Sequence, residues 1–181
     1  MGSFYAEDVL KIKTPRVGLL NNGTEPSKGT ELQLGAYELL ERVNFDGYLN
    51  FVGNIEANDA MNGACDVLVS DGFTGNILLK SIEGTAALIM SELKSVFLKS
   101  TKSKLSALLI RKGLSGLRQR LNPDAVGGTA MLGISKPVIK AHGSSNAVAI
   151  MNAIRQAVSA ADMDIAERLQ ANISKMKISS E

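Results

Sequence analysis

Residues 64–80 read ACDVLVSDGFTGNILLK: a short apolar run, a glycine-spaced loop and a renewed apolar stretch at helical spacing. Asp66–Ser70 (DVLVS) has the pattern of a buried strand. Asp71–Gly75 concentrates turn formers, and a helix is expected to start near Asn76. The same unit recurs upstream. Arg16–Leu20 (RVGLL) and Tyr48–Val52 read as strands, separated by a turn-rich loop, Asn21–Gly29, and a helix near Thr30–Val43 with Leu32, Ala36, Leu39 and Leu40 on one face. A short helix is expected at Asn58–Gly63, and Tyr5–Ile12 reads as the end of a helix. Strands that are apolar throughout and alternate with helices imply a mostly parallel sheet covered by helices, an α/β fold. In such sheets ligands bind beyond the carboxyl ends of the strands. The loops Asn21–Gly29, Gly53–Glu56 and Asp71–Asn76 are therefore expected to wall one site.

Composition narrows the class. The chain has 181 residues, 45% hydrophobic and 21% charged, enough to bury a core without staples. A single cysteine, Cys65, excludes a disulfide framework, and a single histidine, His142, removes the His-pair metal motifs. Metal chemistry through His or Cys is not expected. Neither GxGxxG, GxxxxGK[ST] nor GxSxG occurs. No run approaches the roughly 18–20 apolar residues of a transmembrane helix, and MGSFYAEDVLKIK lacks the basic start and apolar centre of a signal peptide, so a cytoplasmic location is expected.

The net charge of +2 is unevenly spread: Lys94–Arg120 carries eight basic residues and no acidic one. That segment faces an anionic partner, with a membrane, an acidic protein and nucleic acid as the candidates. Ala86, Ile89, Leu93 and Val96/Phe97 recur at helical spacing, followed by Leu105, Leu108/Leu109, Leu114, Leu117 and Leu121, which implies a helical hairpin over 84–122. Its tip, Leu105–Ile110, is flanked by Lys102, Lys104, Arg111 and Lys112. Two uses fit: a core or dimer-forming helix pair, and an apolar tip resting on an anionic membrane with about 1 kcal/mol from each nearby cation. They are compatible, the stems serving a dimer and the tip lipid. Residues 1–83 then form the α/β portion, and 123–181 complete the same domain, with a β-hairpin in Met131–Lys140 turning at Ser135–Pro137, a loop at Ala141–Asn146 and a long helix to about Lys177.

Chemistry concentrates in three loops. Gly72 and Gly75 permit close backbone approach, Thr74 and Asn76 add donors, and Asp71 can orient a donor or take a proton, which suits phosphate at a helix start. A plain strand-to-helix turn fits the same residues. Lys28 can offer a cation to a phosphoryl or carbonyl oxygen, or remain a solvated lysine paired with Glu25. His142 precedes Gly143-Ser144-Ser145 at the opening of a helix, where an anion or a purely structural histidine is equally at home. Cys65 opens an apolar strand, a poor place for a nucleophile.

Four stretches, MGSFYAEDVLKIKTPRVGLLNNGTEPSKGTELQ, NFVGNIE, CDVLVSDGFTGNILLK and PVIKAHGSSNA, together resemble the bacterial phosphate acyltransferase (PlsX) family of phospholipid synthesis. The resemblance runs along nearly the whole chain and corresponds to about the carboxy-terminal half of the family's length. It implies transfer of a fatty acyl group from acyl carrier protein to inorganic phosphate, with no cofactor, on a fold related to phosphotransacetylases and isopropylmalate dehydrogenases. It further implies a homodimer in the cytoplasm, peripheral membrane contact through the hairpin, a downstream membrane glycerol-3-phosphate acyltransferase as a partner, and no nucleic acid. On this resemblance Gly72, Thr74, Gly75 and Asn76 are assigned to phosphate, and Lys28 and Asn54 to the reacting carbonyl. Asp71, His142, Ser144 and Ser145 support them, and Lys102, Lys104, Leu105, Leu108, Leu109, Ile110, Arg111 and Lys112 contact membrane or carrier. A phosphotransacetylase using acyl-CoA, and a non-catalytic dimeric half that associates with membranes, remain open.

Overall fold

The computed structural model describes residues 1–121, 126–143 and 145–173. They divide into two units. Of the described residues, the first holds Met1–Gly75, Met131–Val138 and 157–173; the second holds those within 76–130 and 139–156.

In the first unit β1 (Arg16–Leu20), β2 (Asn50–Ile55) and β3 (Val67–Val69) form a parallel sheet in the order β2-β1-β3. β1 is central, which is why its Val17, Leu19 and Leu20 are buried as a continuous apolar run rather than alternating. α2 (Glu31–Phe45) starts where the sequence places it, on a capping box between Thr30 and Gln33, and packs on β1 and β2. Tyr37 of α2 meets Phe51 of β2 edge to face at 5.2 Å. A second apolar cluster joins Ala160, Ile165 and Leu169 to Phe4, Val9, Leu132 and Met163, so that α1 (Gly2–Asp8) lies against α8 (Ile165–Ile173).

Expected boundaries move: α1 ends at Asp8 rather than Ile12, and the short helix expected at Asn58–Gly63 is α3 (Ala57–Met61). Gly53–Glu56 is not a loop: β2 continues to Ile55, because a bulge opposite Val17/Leu19 admits one extra residue and Gly53 takes φ +91 there. The helix expected near Asn76 begins at Gly72, as α4 (Gly72–Leu98), so most of the glycine-spaced loop is its first turn.

The second unit carries α4 from Asn76 on, α5 (Thr101–Leu109), α6 (Arg111–Arg120), and a two-stranded antiparallel ribbon of β4 (Gly128–Ala130) and β5 (Ile139–Ala141). The second arm of the expected hairpin is thus two helices, broken at Ile110, with Ser100 and Ser103 capping the first of them reciprocally. The expected β-hairpin within Met131–Lys140 is displaced outward: pairing runs Gly128↔Ala141 to Ala130↔Ile139, and 131–138 is the connection. α7 (Ala147–Asp162) and α8 replace the single long helix. The break falls at Asp164, whose φ of +49 no continuous helix allows. The expected helix end beyond Ile173 lies outside the described residues.

Candidate functional site

Because β1, β2 and β3 are parallel, their carboxyl ends open on one edge of the first unit, and that edge collects Asn21–Gly29, Asn54 and Asp71–Gly75. The register is explicit: Leu19 stands beside Asn54 on one side and Val69 on the other.

Asn54 is 3% exposed, and its Nδ2 donates to the carbonyl of Glu25 at 2.8 Å. Its buried Oδ1 accepts no hydrogen bond among the described residues. Asn21, which the sequence reading passed over, donates from Nδ2 to the carbonyl of Lys28 at 2.9 Å while its Oδ1 accepts from the Asn22 amide. Two asparagines therefore hold the backbone of the loop that presents Lys28. An asparagine directly after a strand, inside a turn-rich loop, is the signal that pointed to Asn21. The Lys28 side chain is exposed, with Glu25 at 3.8 Å, a loose i,i+3 pair of small energetic weight.

At the start of α4, Asp71 Oδ1 accepts from the amides of Phe73 at 3.0 Å and Thr74 at 2.8 Å. The Thr74 side chain first, then these amides, hold the Asp71 carboxyl below the usual range. The helix start that suits an anion thus already receives one, from its own cap. Gly72, Thr74, Gly75 and Asn76 occupy the first turn of α4, and Thr74 and Asn76 are exposed there. Cys65 is half-buried, and burial pushes its thiol up, away from reactivity.

At the opposite ends of β1 and β3, Arg16 and Asp66 form a two-pronged pair: Nε donates to Oδ2 at 3.0 Å and Nη2 to Oδ1 at 2.9 Å, with the Arg16 amide adding a third bond to Oδ2. These bonds hold Asp66 at about 2. The pair clamps two strands and lies away from the ligand edge.

In the second unit His142 is exposed and its carbonyl accepts from the Ser145 amide at 3.0 Å. The following helix starts at Ala147, and Asn146 Oδ1 takes the amides of Val148 and Ala149, the same self-capping seen at Asp71. Ser144 lies outside the described residues. Leu105, Leu108 and Leu109 are 65%, 71% and 83% exposed, Ile110 separates α5 from α6, and Lys102, Lys104, Arg111 and Lys112 are exposed beside them. No described helix is long and apolar enough to cross a membrane, and no group of three metal-ligating side chains occurs among the described residues.

The fold defines an α/β protein whose loops form a candidate site at the carboxyl ends of a parallel sheet. The profile of a family described as "Fatty acid synthesis protein" matches residues 1–168, and the chain belongs to that family. Proteins named phosphate acyltransferase are similar along most of it: one from Oceanobacillus iheyensis is 51% identical over 96% of this chain and 51% of its own length. One from Lysinibacillus sphaericus is 52% identical over 87% and 46%, and one from Streptococcus pneumoniae 52% over 91% and 49%. The chain spans about half the length of the curated relatives it matches.

Proposed function

We propose that this chain forms part of a phosphate acyltransferase, which transfers a fatty acyl group from acyl carrier protein to inorganic phosphate and so supplies acyl phosphate for phospholipid synthesis. The names of its half-identical relatives support this reading. The observation that carries it to particular residues is the shared edge of the parallel sheet, where the Lys28 loop, Asn54 and the α4 start follow adjacent strands.

A phosphate oxygen attacks the thioester carbonyl carbon; the new C–O bond forms, the C–S bond breaks, and the carrier thiolate leaves and takes up a proton. Phosphate is already nucleophilic, so the protein aligns it and stabilises the tetrahedral oxyanion. Lys28 supplies the cation for that oxyanion. Asn54 stands near the reacting carbonyl and, with one amide hydrogen given to the carbonyl of Glu25, works with Asn21 by holding the loop. Gly72, Thr74, Gly75 and Asn76 receive phosphate, which must displace the Asp71 carboxylate from the Phe73 and Thr74 amides or bind through the exposed Thr74 and Asn76 side chains. His142, Ser144 and Ser145 remain supporting residues of the reading.

The test is release of free carrier thiol from palmitoyl-carrier protein with and without phosphate, using this chain and a protein of the relatives' full length. Phosphate-dependent release is expected from the longer protein. Release from palmitoyl-CoA in preference to the carrier would transfer the assignment to a phosphotransacetylase, and phosphate-independent release would overturn it.

The exposed leucines of α5 favour a second, compatible role: peripheral contact with an anionic membrane, at which a homodimer hands its product to the membrane glycerol-3-phosphate acyltransferase.

A further inference from the structure

In the second unit the last turns of α4 and the first turns of α6 enclose an open groove of about 740 Å³, a volume within the range of small-molecule sites. Leu93, Phe97 and Leu98 from α4 and Leu114 from α6 line it with apolar surface. Lys94 and Arg111 stand among them, one from each helix. No carboxylate lines the groove, and neither cation has an ion-pair partner among the described residues.

We infer that this groove binds a single-chain anionic amphiphile, with its acyl or alkyl tail along the leucines and Phe97 and its carboxylate or phosphate head between Lys94 and Arg111. Charge complementarity selects the occupant. With no acidic residue between Lys94 and Arg120, nothing in this segment of a partner copy neutralises Lys94 and Arg111, whereas an anionic head group does. A bilayer surface does not enter a concave groove between two helices. The choice of a fatty chain as the tail rests on the acyl-transfer reading.

Calorimetric titration of this chain with dodecyl phosphate and with laurate, each below its micelle concentration, tests the inference, with dodecyltrimethylammonium as the cationic control. One-to-one binding of dodecyl phosphate is expected. If laurate binds equally, free fatty acid is also a ligand; if only dodecyl phosphate binds, the site is one for acyl phosphate; both outcomes support the inference. Lys94→Gln combined with Arg111→Gln, at two exposed positions, should weaken binding at least about tenfold, and Leu114→Glu should do so as well. Equal binding of dodecyltrimethylammonium, no binding of either anion, or unchanged affinity in the double glutamine variant would overturn it. Failure here with carrier-thiol release intact removes only the groove; binding without release removes only the transferase reading.

Discussion

The strand edge and the helical arm solve opposite problems. Around β1 the apolar side chains Val17, Leu19, Leu20 and Ile55 are buried, a buried asparagine has its donor committed, and Arg16 and Asp66 meet with three hydrogen bonds. Along α4 and α5 no residue is buried, although Leu88, Ile89, Leu105, Leu108 and Leu109 are large and apolar. Apolar surface left in water on this scale marks a place of association. Substitutions at the sheet should therefore register as lost stability or chemistry, and substitutions on the arm as lost binding.

The largest expected effect is on chemistry. In a protein of the relatives' full length, Lys28→Ala should lower phosphate-dependent thiol release by about 10²-fold or more, as removal of one oxyanion donor does. Unchanged turnover would remove Lys28 from the site and leave its loop a solvated turn. Next comes Gly18→Ala. A Cβ there would overlap Cγ1 of Ile55 and come within 3.3 Å of the Cβ of Cys65, so urea unfolding should show a loss of about 1–3 kcal/mol. Little change would mean the centre of the sheet is looser than the arm comparison requires.

Asn54→Ala should lose about 1–2 kcal/mol and expose the Asn21–Gly29 loop to proteolysis, since the Glu25 carbonyl loses its donor. Equal proteolysis of both proteins would assign the loop's order to Asn21 alone. On the arm, Leu108→Glu should change stability by less than about 0.5 kcal/mol while reducing flotation with anionic vesicles. Unchanged flotation would sink the lipid role of the tip, and a large stability loss would make it core and collapse the contrast.

The smallest effect is acid dependence of the strand clamp. Asp66 titrates near 2 in the folded chain, below its ordinary value of 3.8, so its contribution is complete above about pH 4 and is lost as pH falls toward 2. Asp66→Asn should flatten the urea midpoint across that window; an identical pH profile in the variant would show that other carboxylates set the acid limit.

Apolar runs and turn residues carried the α/β class, the parallel sheet, α2, and the basic leucine-bearing arm, because these depend on side-chain periodicity within a few neighbours. The four ordered motifs carried the family. What the sequence left open has one physical cause, contacts between residues distant along the chain. The bulge that extends β2 through Gly53 is a pairing decision made against β1, thirty-odd residues away, and it places Asn54 at the buried end of a strand, where its amide holds the Glu25 carbonyl. Arg16 and Asp66, 50 positions apart, were invisible as a pair until the strands lay side by side. The groove likewise draws on residues of three helices, from Met90 of α4 through Ala107 of α5 to Ser115 of α6, which no single helix brings together.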